Sequence, residues 1–317
     1  MTGAAWLAAA FGASDANTAL TTGLAWAYPS GSTTAFGSPL GPGPFHIPGS
    51  SLTVTRTQLE HAEGPIDWFP EDHPAAPRVV KGPASGHAEP CAACHGFSGA
   101  GFPGSADLAG LPAAYIVEQV RAFASGERRS ADPHQPNTAE MIKAAKSVTP
   151  RQLQEAATYF AHLPRAHWLR VVESSTVPRT IPDKFGWLDP APGGGSEPID
   201  GRVIELSDDL PQAFLGNDHV VLTDYAPPGA LARGRAIVET GGVNGQPCTV
   251  CHGATLRGGP TAPPLAGRSA AYLARTVWDI RVGARRGRAV TPMLAPSRAL
   301  SALDIRDAAA YLASLAP

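Results

Sequence analysis

Two stretches of the chain place apolar residues at the spacing of a single helix face. They are Leu153, Ala156, Ala157 and Phe160 in the middle of the chain, and Ile305, Ala308, Ala309 and Leu312 near its end. Thr149 and Pro150 begin the first helix, where Gln152 completes a capping box. Ser301 and Asp304 begin the second helix. This pattern predicts one amphipathic helix in each half of the chain.

The rest of the pattern predicts a mainly α-helical chain with one β-rich interruption. Further helices are predicted to begin at Ala113 and at Ala270. Between residues 164 and 230 the pattern changes to short runs separated by prolines and by Gly193–Gly195. The strands predicted there are Trp168–Val172, Arg202–Leu206 and His219–Thr223. We therefore expect a small β-rich connector between two helical parts.

An internal repeat relates the two helical parts. Residues 90–129 align with residues 247–286 without a gap, at an offset of 157 positions. The second copy repeats the residue types of Pro90, Cys91, Cys94, His95, Gly96, Gly101, Pro103, Leu108, Ala109, Gly110, Ala113, Ala114, Tyr115, Gly126, Arg128 and Arg129. After a contraction of five residues the alignment resumes and pairs Tyr159 with Tyr311. The two halves look like one duplicated domain.

Composition and charge narrow the classes of protein. The 317 residues carry a net charge of −2 with only 16% charged residues, so nothing indicates binding to nucleic acid. No apolar run approaches the length that spans a bilayer, and we expect no transmembrane segment. The 34 glycines and 32 prolines predict much irregular structure. We interpret residues 17–90, which include Trp26 and Trp68, as an extended arm that packs over the chain; the alternative is a disordered leader, which is usually poor in aromatic residues.

The first residues leave two interpretations open. Ala4–Ala13 is apolar and resembles the central part of a secretory signal peptide. It lacks preceding basic residues, and no clear A-x-A cleavage site follows it. The segment is either a truncated or misplaced-start signal peptide or an ordinary N-terminal helix.

The four cysteines form two Cys-x-x-Cys-His motifs, Cys91–His95 and Cys248–His252. This spacing is the attachment signature of c-type haem, because two thiols on one helical turn each reach a vinyl group of the porphyrin. The histidine that follows then lies under the iron as the proximal ligand. A zinc site or a redox-active dithiol is the alternative for a Cys-x-x-Cys pair. Two motifs in register within a repeat, each followed by histidine, favour two covalently attached haem c groups.

Two methionines are candidates for the second axial ligands. Met141 lies 46 residues after His95, and Met293 lies 41 residues after His252. Each stands eight residues before a helix-starting Thr or Ser, and apart from Met1 the chain has no other methionine. A role as gap-filling core residues is the alternative. His134, 39 residues after His95, competes with Met141 as the first distal ligand.

Arginines and tyrosines of the repeat have weaker candidate roles. The arginine pairs Arg128–Arg129 and Arg285–Arg286 either neutralise haem propionates or end solvated helices. Tyr115 and Tyr272 either pack beside a haem or fill a helix interface.

The order of motifs resembles that of class I cytochromes c. CxxCHG is followed by LAG, by AAYI or AAYL, by G-x-RR, by a distal methionine and by a final helix ending in AxYxAxL. The tandem arrangement resembles the two-haem cytochrome c4 group, over about residues 90–163 and 247–315. The resemblance implies a small α-helical domain around each haem, haem attachment during export and a periplasmic location. The residues it implies are the thioether cysteines Cys91, Cys94, Cys248 and Cys251, the proximal ligands His95 and His252, and the distal ligands Met141 and Met293.

The chain departs from that group in three ways. It has a long N-terminal arm, and its connector is far longer than a simple tandem linker. Its first distal segment reads TAEMIKAA, whereas the second has the more usual TPM. We therefore predict an arm at 1–84, a first class I cytochrome c domain at 85–165, a connector at 166–229 and a second cytochrome domain at 230–317.

The leading functional hypothesis is a periplasmic electron carrier, or the electron-transfer subunit of a dehydrogenase or respiratory complex. Its partners are then redox proteins, namely a dehydrogenase, another cytochrome or an oxidase. The alternative is a two-haem enzyme of the peroxidase or thiosulfate-oxidising type, which needs one exchangeable axial site. A cysteine-ligated catalytic haem does not fit, because attachment uses all four cysteines. If both methionines bind iron, neither iron is open to substrate, so we predict a carrier and not an enzyme.

Overall fold

A computed structural model describes residues 24–30, 40–82, 89–166, 168–242, 245–259 and 262–317. Its α-helices are α1 (Arg56–Glu60), α2 (Arg78–Lys81), α3 (Ala92–His95), α4 (Ala113–Ser125), α5 (Pro136–Ser147), α6 (Pro150–His162), α7 (Leu210–Phe214), α8 (Ala230–Thr240), α9 (Thr249–His252), α10 (Ala270–Arg281), α11 (Leu294–Ala299) and α12 (Ala302–Ser314). Its strands are β1 (Phe45–His46), β2 (Thr53–Val54), β3 (Leu169–Glu173), β4 (Thr176–Pro178), β5 (Thr180–Pro182), β6 (Leu188–Pro190), β7 (Ser196–Pro198), β8 (Ile204–Ser207) and β9 (Leu222–Ala226). Segments Ala25–Ala27 and Arg288–Met293 form 3-10 helix. Among the helices described, none is long and apolar enough to cross a membrane.

The four helices that the apolar pattern predicts are confirmed as α4, α6, α10 and α12. The predicted capping box of α6 is present, because the Thr149 and Gln152 side chains each accept from the other's backbone N–H. Ser301 and Asp304 form the same box at the start of α12. Each box satisfies backbone donors that the first turn of a helix leaves unpaired.

Helices α5 and α8 carry no clear apolar stripe, and the pattern misses them. Ala145 is the one buried residue of α5, a fully described helix that otherwise presents polar and half-buried side chains. Helix α8 buries Ala230, Gly234 and Val238, a four-residue spacing made mostly of small residues. Helices of this kind depend on their tertiary contacts more than on their own amphipathicity.

Helices α8 and α12 of the second repeat pack very close to each other. Helix α8 packs on α12, where a Cβ added to Gly234 would overlap the carbonyl of Asp307 and lie 2.8 Å from Cβ of Tyr311. In the first repeat the single turn α2 takes the matching place against α6, through buried Val79 and Val80. The two repeats therefore share their helix order but differ in the length of the first helix.

The connector forms a three-stranded sheet and a nested pair of hairpins. Strand β9 lies at the centre of the sheet, parallel to β3 and antiparallel to β8. Strand β4 pairs with β7 and encloses the β5–β6 hairpin. The three predicted strands correspond to β3, β8 and β9, displaced by one to three residues. The sheet packs against α10 and α12, which joins the connector to the second repeat.

The described parts of the N-terminal arm pack on distant parts of the chain, as the sequence predicts. Leu24, Trp26 and Tyr28 are buried in the core of the second repeat. The indole Nε1 of Trp68 donates to the carbonyl of Leu215 in the connector, at 2.7 Å. The apolar segment Ala4–Ala13 lies outside the described residues. The described parts of the arm therefore pack on the second repeat and on the connector.

Candidate functional site

Each Cys-x-x-Cys-His motif folds as one helical turn that ends at a glycine. In the first repeat, Cys91 precedes α3 with helical backbone angles, and Gly96 ends the turn at a φ of +70°. The second repeat uses Cys248 and Gly253 in the same way, with a φ of +83°. Positive φ at this point favours glycine, which lets the chain turn sharply away after the histidine. The motif thus holds two thiols and one imidazole on a single turn.

Both motif histidines are fixed in the same orientation by a carbonyl eleven residues further on. Nδ1 of His95 lies 2.8 Å from the oxygen of Ala106, and Nδ1 of His252 lies 2.8 Å from the oxygen of Pro263. A carbonyl only accepts, so Nδ1 carries the proton and Nε2 keeps its lone pair. Burial lowers the pKa of both rings, which keeps them neutral. A neutral imidazole with its second nitrogen anchored is the form that ligates a metal.

The four cysteines are free thiols in the structure. Burial raises the pKa of Cys91 to about 12, and it also raises the pKa of Cys94 and of Cys248. These thiols are therefore protonated at neutral pH. Thiol–disulfide exchange proceeds through the thiolate, so this environment does not favour a redox-active dithiol.

The two predicted distal methionines lie in different types of secondary structure. Met141 is half-buried within α5, and the charge of the adjacent Glu140 contributes to raising the pKa of the Cys94 thiol. Helix α5 therefore runs past the first motif. Met293 is half-buried at the end of the 3-10 segment that precedes α11. The competing His134 points to solvent, with a side chain that is 84% exposed and lies 3.2 Å from Asp132.

The two repeats meet through a short antiparallel backbone pairing of equivalent segments. Arg128 and Arg285 pair as an isolated β-bridge. The backbone N–H of Arg129 donates to the carbonyl of Ala284 at 2.9 Å, and that of Arg286 donates to the carbonyl of Glu127 at 2.8 Å. Equivalent residues of the duplicated sequence thus face each other across the interface.

The side chains at this interface are exchanged between the repeats. The Arg128 guanidinium donates to the Tyr272 hydroxyl at 3.3 Å, and the Arg285 guanidinium donates to the Tyr115 hydroxyl at 3.1 Å. Both arginines also donate to Oε1 of Gln119, at 3.0 and 2.7 Å. Each repeat therefore supplies an arginine to the tyrosine of the other. Arg129 and Arg286, next in sequence, are exposed instead.

This interface carries an excess of buried positive charge. Burial alone would raise the pKa of Tyr272, but the charges of Arg128, Arg285 and Arg268 outweigh it and lower the pKa to about 7. Nη2 of Arg268 is buried without a hydrogen-bond partner among the described residues. Arg268 lies 3.6 Å from the carboxylate of Asp107, but neither Arg128 nor Arg285 forms an ion pair with a carboxylate among the described residues. Buried cations need an anionic partner. The carboxylates of a haem propionate match this requirement, so the donor set fits the group that the two motifs predict.

Sequence reasoning did not find Gln119 or Arg268. Gln119 is matched by Thr276 in the second repeat, so the duplication gives no signal for it. Arg268 follows the LAG motif and donates to the carbonyl of Asp107 across the interface, at 2.8 Å. The first repeat has no arginine at the corresponding position, where Leu111 follows Gly110. Only the folded contact reveals its role.

Comparison with known proteins places the second repeat in a sequence family. The family model described as cytochrome c matches residues 231–316. Cytochrome c-554(548) of Halomonas halodenitrificans is 40% identical over 68 residues, which are 21% of this chain and 82% of that protein. A protein of Thiomonas intermedia named thiosulfate dehydrogenase electron acceptor is 41% identical over 88 residues, or 26% of this chain and 37% of that protein. The match spans little more than a third of this last relative.

Solved structures give weaker similarity. The thiosulfate dehydrogenase TsdBA from Marichromatium purpuratum superposes with a TM-score of 0.48 at 26% identity, over 71% of this chain and 36% of that one. Reduced cytochrome c4 from Pseudomonas stutzeri superposes with a TM-score of 0.46 at 20% identity, over 71% of this chain and 93% of that one.

The contacts across the interface predict that substitutions of the neighbouring residues Arg285 and Arg286 differ in their effect on the free energy of unfolding. Arg285→Gln removes the arginine donor of the Tyr115 hydroxyl and one of the two arginine donors of Gln119 Oε1, so we expect it to lower the free energy of unfolding by about 1–3 kcal/mol. Arg286→Gln removes the same charge from an exposed site, and we expect a change within about 0.5 kcal/mol. Denaturant unfolding of both variants measures the two values. Equal effects of the two substitutions would show that the interface bonds do not contribute to stability.

Proposed function

Because this chain belongs to the cytochrome c family, we propose that it carries two covalently attached haem c groups and transfers electrons between redox proteins. One observation carries the proposal: each repeat presents two thiols and one anchored, neutral imidazole on a single helical turn. A bound haem supplies an iron that takes up and releases one electron at a time. The remaining tasks, namely attachment, ligation, orientation and burial, belong to side chains of this chain.

The proposed attachment and ligand residues follow the repeat. Cys91 and Cys94 form the thioether links of the first site, and Cys248 and Cys251 form those of the second. His95 and His252 would be the proximal ligands, each held by its Nδ1–H bond to a carbonyl, which leaves the lone pair of Nε2 available to ligate an iron. A fixed ring orientation limits the rearrangement that accompanies a change of charge at the iron.

Met141 and Met293 are the proposed distal ligands. The exposed side chain of His134 supports Met141 in the first site, since a ligand must point into the domain. The position of α5, whose Glu140 acts on the Cys94 thiol, supports the same assignment. A thioether ligand favours ferrous iron and raises the reduction potential. With a histidine and a methionine bound, both axial positions of each iron would be occupied by protein side chains. Such irons are suited to outer-sphere electron transfer.

The proposed domain organisation is a tandem of two class I cytochrome c domains, at 85–165 and 230–317. The arm at 1–84 and the connector at 166–229 pack against them. The exchanged arginines and tyrosines hold the two domains at a fixed distance, which electron transfer between two haems requires. Arg128, Arg268 and Arg285 are positioned to neutralise propionate groups at this interface.

The proposed partners are redox proteins, and the proposed location is the periplasm. The relative named thiosulfate dehydrogenase electron acceptor supports a role in accepting electrons from a dehydrogenase that acts on a small sulfur oxyanion. Haem attachment to Cys-x-x-Cys-His motifs accompanies export in the cytochromes that the sequence resembles. Electrons would then pass onward to another cytochrome or an oxidase.

The alternative function is that of a two-haem enzyme, of the peroxidase or thiosulfate-oxidising type. The backbone position of Met141 is the observation that favours it. Such chemistry needs an exchangeable axial position on one iron. The first site is the better candidate for an exchangeable axial position. Its methionine, Met141, lies in a continuous helix, whereas Met293 lies in the TPM segment.

Haem stoichiometry tests the proposed cofactor content. Protein produced with a haem-attachment system should carry two covalent haems per chain, as measured by intact mass and by haem staining of a denaturing gel. The double substitution Cys248→Ala and Cys251→Ala should leave one haem, because the first motif is unchanged. Haem that acidic solvent extracts, or a wild-type chain with one haem, would contradict the proposal.

Distal ligation of the first site is tested with two neighbouring variants. Met141→Ala should open one iron, lower its reduction potential and produce a high-spin signal in the oxidised protein, because a thioether stabilises the reduced state. His134→Ala should leave the spectrum and both potentials unchanged. Redox titration followed by absorbance separates the two variants. The opposite pattern would make His134 the ligand.

Electron transfer itself is tested by stopped-flow oxidation of the fully reduced protein. We expect rapid oxidation by a second cytochrome or an oxidase, because both haems are closed to small molecules and exchange electrons through their edges. Peroxide should give little turnover, and thiosulfate should reduce the oxidised protein only when a dehydrogenase is present. Fast saturable turnover of either small molecule, with a high-spin signal in the resting protein, would instead establish an enzyme.

A further inference from the structure

Two carboxylic acids lie side by side in the interior of the connector sheet. Glu205 on β8 and Asp224 on β9 are direct partners in the strand register. Asp224 is fully buried, and Glu205 is 6% exposed. Direct partners on antiparallel strands project from the same face of a sheet, so the two acids share one buried environment. The proposed electron transfer does not use either of them.

One oxygen of each acid is bound by a backbone donor from a different part of the chain. Oδ2 of Asp224 accepts from the N–H of Ala270 at 2.9 Å, in the first turn of α10. Oε1 of Glu205 accepts from the N–H of Gly104 at 3.4 Å, in the first repeat. The other oxygens, Oδ1 of Asp224 and Oε2 of Glu205, are buried with no donor among the described residues. The two acids therefore tie both repeats to the connector, and each keeps one unsatisfied oxygen.

The nearby cation does not bind either acid directly. Arg275 is 8% exposed and donates to the carbonyl of Ala27 at 2.8 Å and to that of Gly104 at 3.2 Å. Two ionised carboxylates beside one guanidinium would leave a net buried negative charge, which is costly in a protein interior. One proton added to the pair makes this cluster neutral and supplies the missing donor between the two free oxygens.

Other charged groups around the pair are engaged elsewhere. Besides Arg275, the titratable and charged groups on the elements packed against it are Arg170, Glu173, Asp189, Tyr225, Tyr272, Asp279, Arg281, Asp304, Arg306, Asp307 and Tyr311. Asp279 accepts from the Tyr28 hydroxyl at 2.9 Å and from the N–H of Ala131 at 2.8 Å. Asp208 pairs with Arg170 at the exposed edge of the same sheet. Among the described residues, none of these groups forms an ion pair with Glu205 or Asp224.

We propose that Glu205 and Asp224 share one proton at neutral pH, and that loss of this proton at alkaline pH loosens the junction between the two repeats. Burial, followed by the charge of Glu205, raises the pKa of Asp224 well above its usual range, in agreement with this assignment. The shared proton holds together the Gly104 loop of the first repeat, the connector sheet and the start of α10. The inference concerns only side chains of this chain and is independent of the haem ligands.

The sign of the pH dependence follows from proton linkage. In the unfolded chain both acids lose their protons near pH 4, whereas the folded pair keeps one proton to much higher pH. The stabilisation is therefore complete below about pH 4 and declines as the pH rises toward the pKa of the folded pair. In that window the unfolding equilibrium constant attributable to the pair rises by up to about tenfold per pH unit.

Asp224→Asn tests the proposal on the complete haem-containing protein. An amide keeps the acceptor for the N–H of Ala270 and offers its own N–H to Oε2 of Glu205, so the donor is supplied without a proton. Denaturant unfolding between about pH 5 and pH 9 should show a steeper loss of stability in the wild type than in the variant. If Asp224→Asn does not fold, Glu205→Gln replaces the other acid of the pair by its amide and supplies the donor in the same way. Asp208→Asn is the control, since this acid already has an arginine partner on the same sheet.

Infrared spectroscopy at about pH 8 detects the proton directly. The wild type should show the carbonyl band of a protonated carboxylic acid, which Asp224→Asn or Glu205→Gln removes and Asp208→Asn retains. Haem propionates contribute equally to all of these spectra. Absence of the band from the wild type, or parallel pH profiles for the wild type and both amide variants, would overturn the inference.

Discussion

The exchange of arginines between the two repeats is the interaction on which the rest of the structure depends. A duplicated domain can place its copies in many relative positions, but this one brings equivalent loops together in an antiparallel bridge. Each guanidinium then reaches the tyrosine of the opposite copy. A bond of this kind is satisfied only when both copies are in place, because a buried guanidinium without its acceptor costs more than the bond contributes.

The arm and the connector complete the same junction from outside. Tyr28 and the N–H of Ala131 bind one carboxylate oxygen of Asp279, so the arm, the first repeat and α10 meet at a single atom. Arg275 adds bonds to the arm and to the Gly104 loop. The segments that distinguish this chain from a simple tandem are therefore built into the contact between the repeats. Their buried polar groups make the relative placement of the two sites specific.

The charge at the junction connects structure with the proposed function. The buried Arg268 and Arg285 and the half-buried Arg128 favour anionic partners near Tyr272, whereas the two acids of the connector sheet favour a proton. Both requirements arise because a low-dielectric interior does not tolerate unpaired charge. We propose that haem carboxylates meet the first requirement and that a proton shared between the two acids meets the second. Cofactor binding and pH thus act on the same small region between the repeats.

The sequence alone determined the features that depend on neighbouring residues. Cys91–His95 and Cys248–His252 predict the motif turns, and the capping boxes at Thr149 and Ser301 predict where two helices begin, since each pattern closes within a few residues. The family is likewise readable from motif order. The sequence missed α5 and α8, whose apolar stripes are weak because tertiary packing supports them. Only the tertiary structure decided the partners of Tyr115, the role of Gln119 and the pairing of Glu205 with Asp224, because these contacts join residues on different structural elements and leave no periodic or local signal.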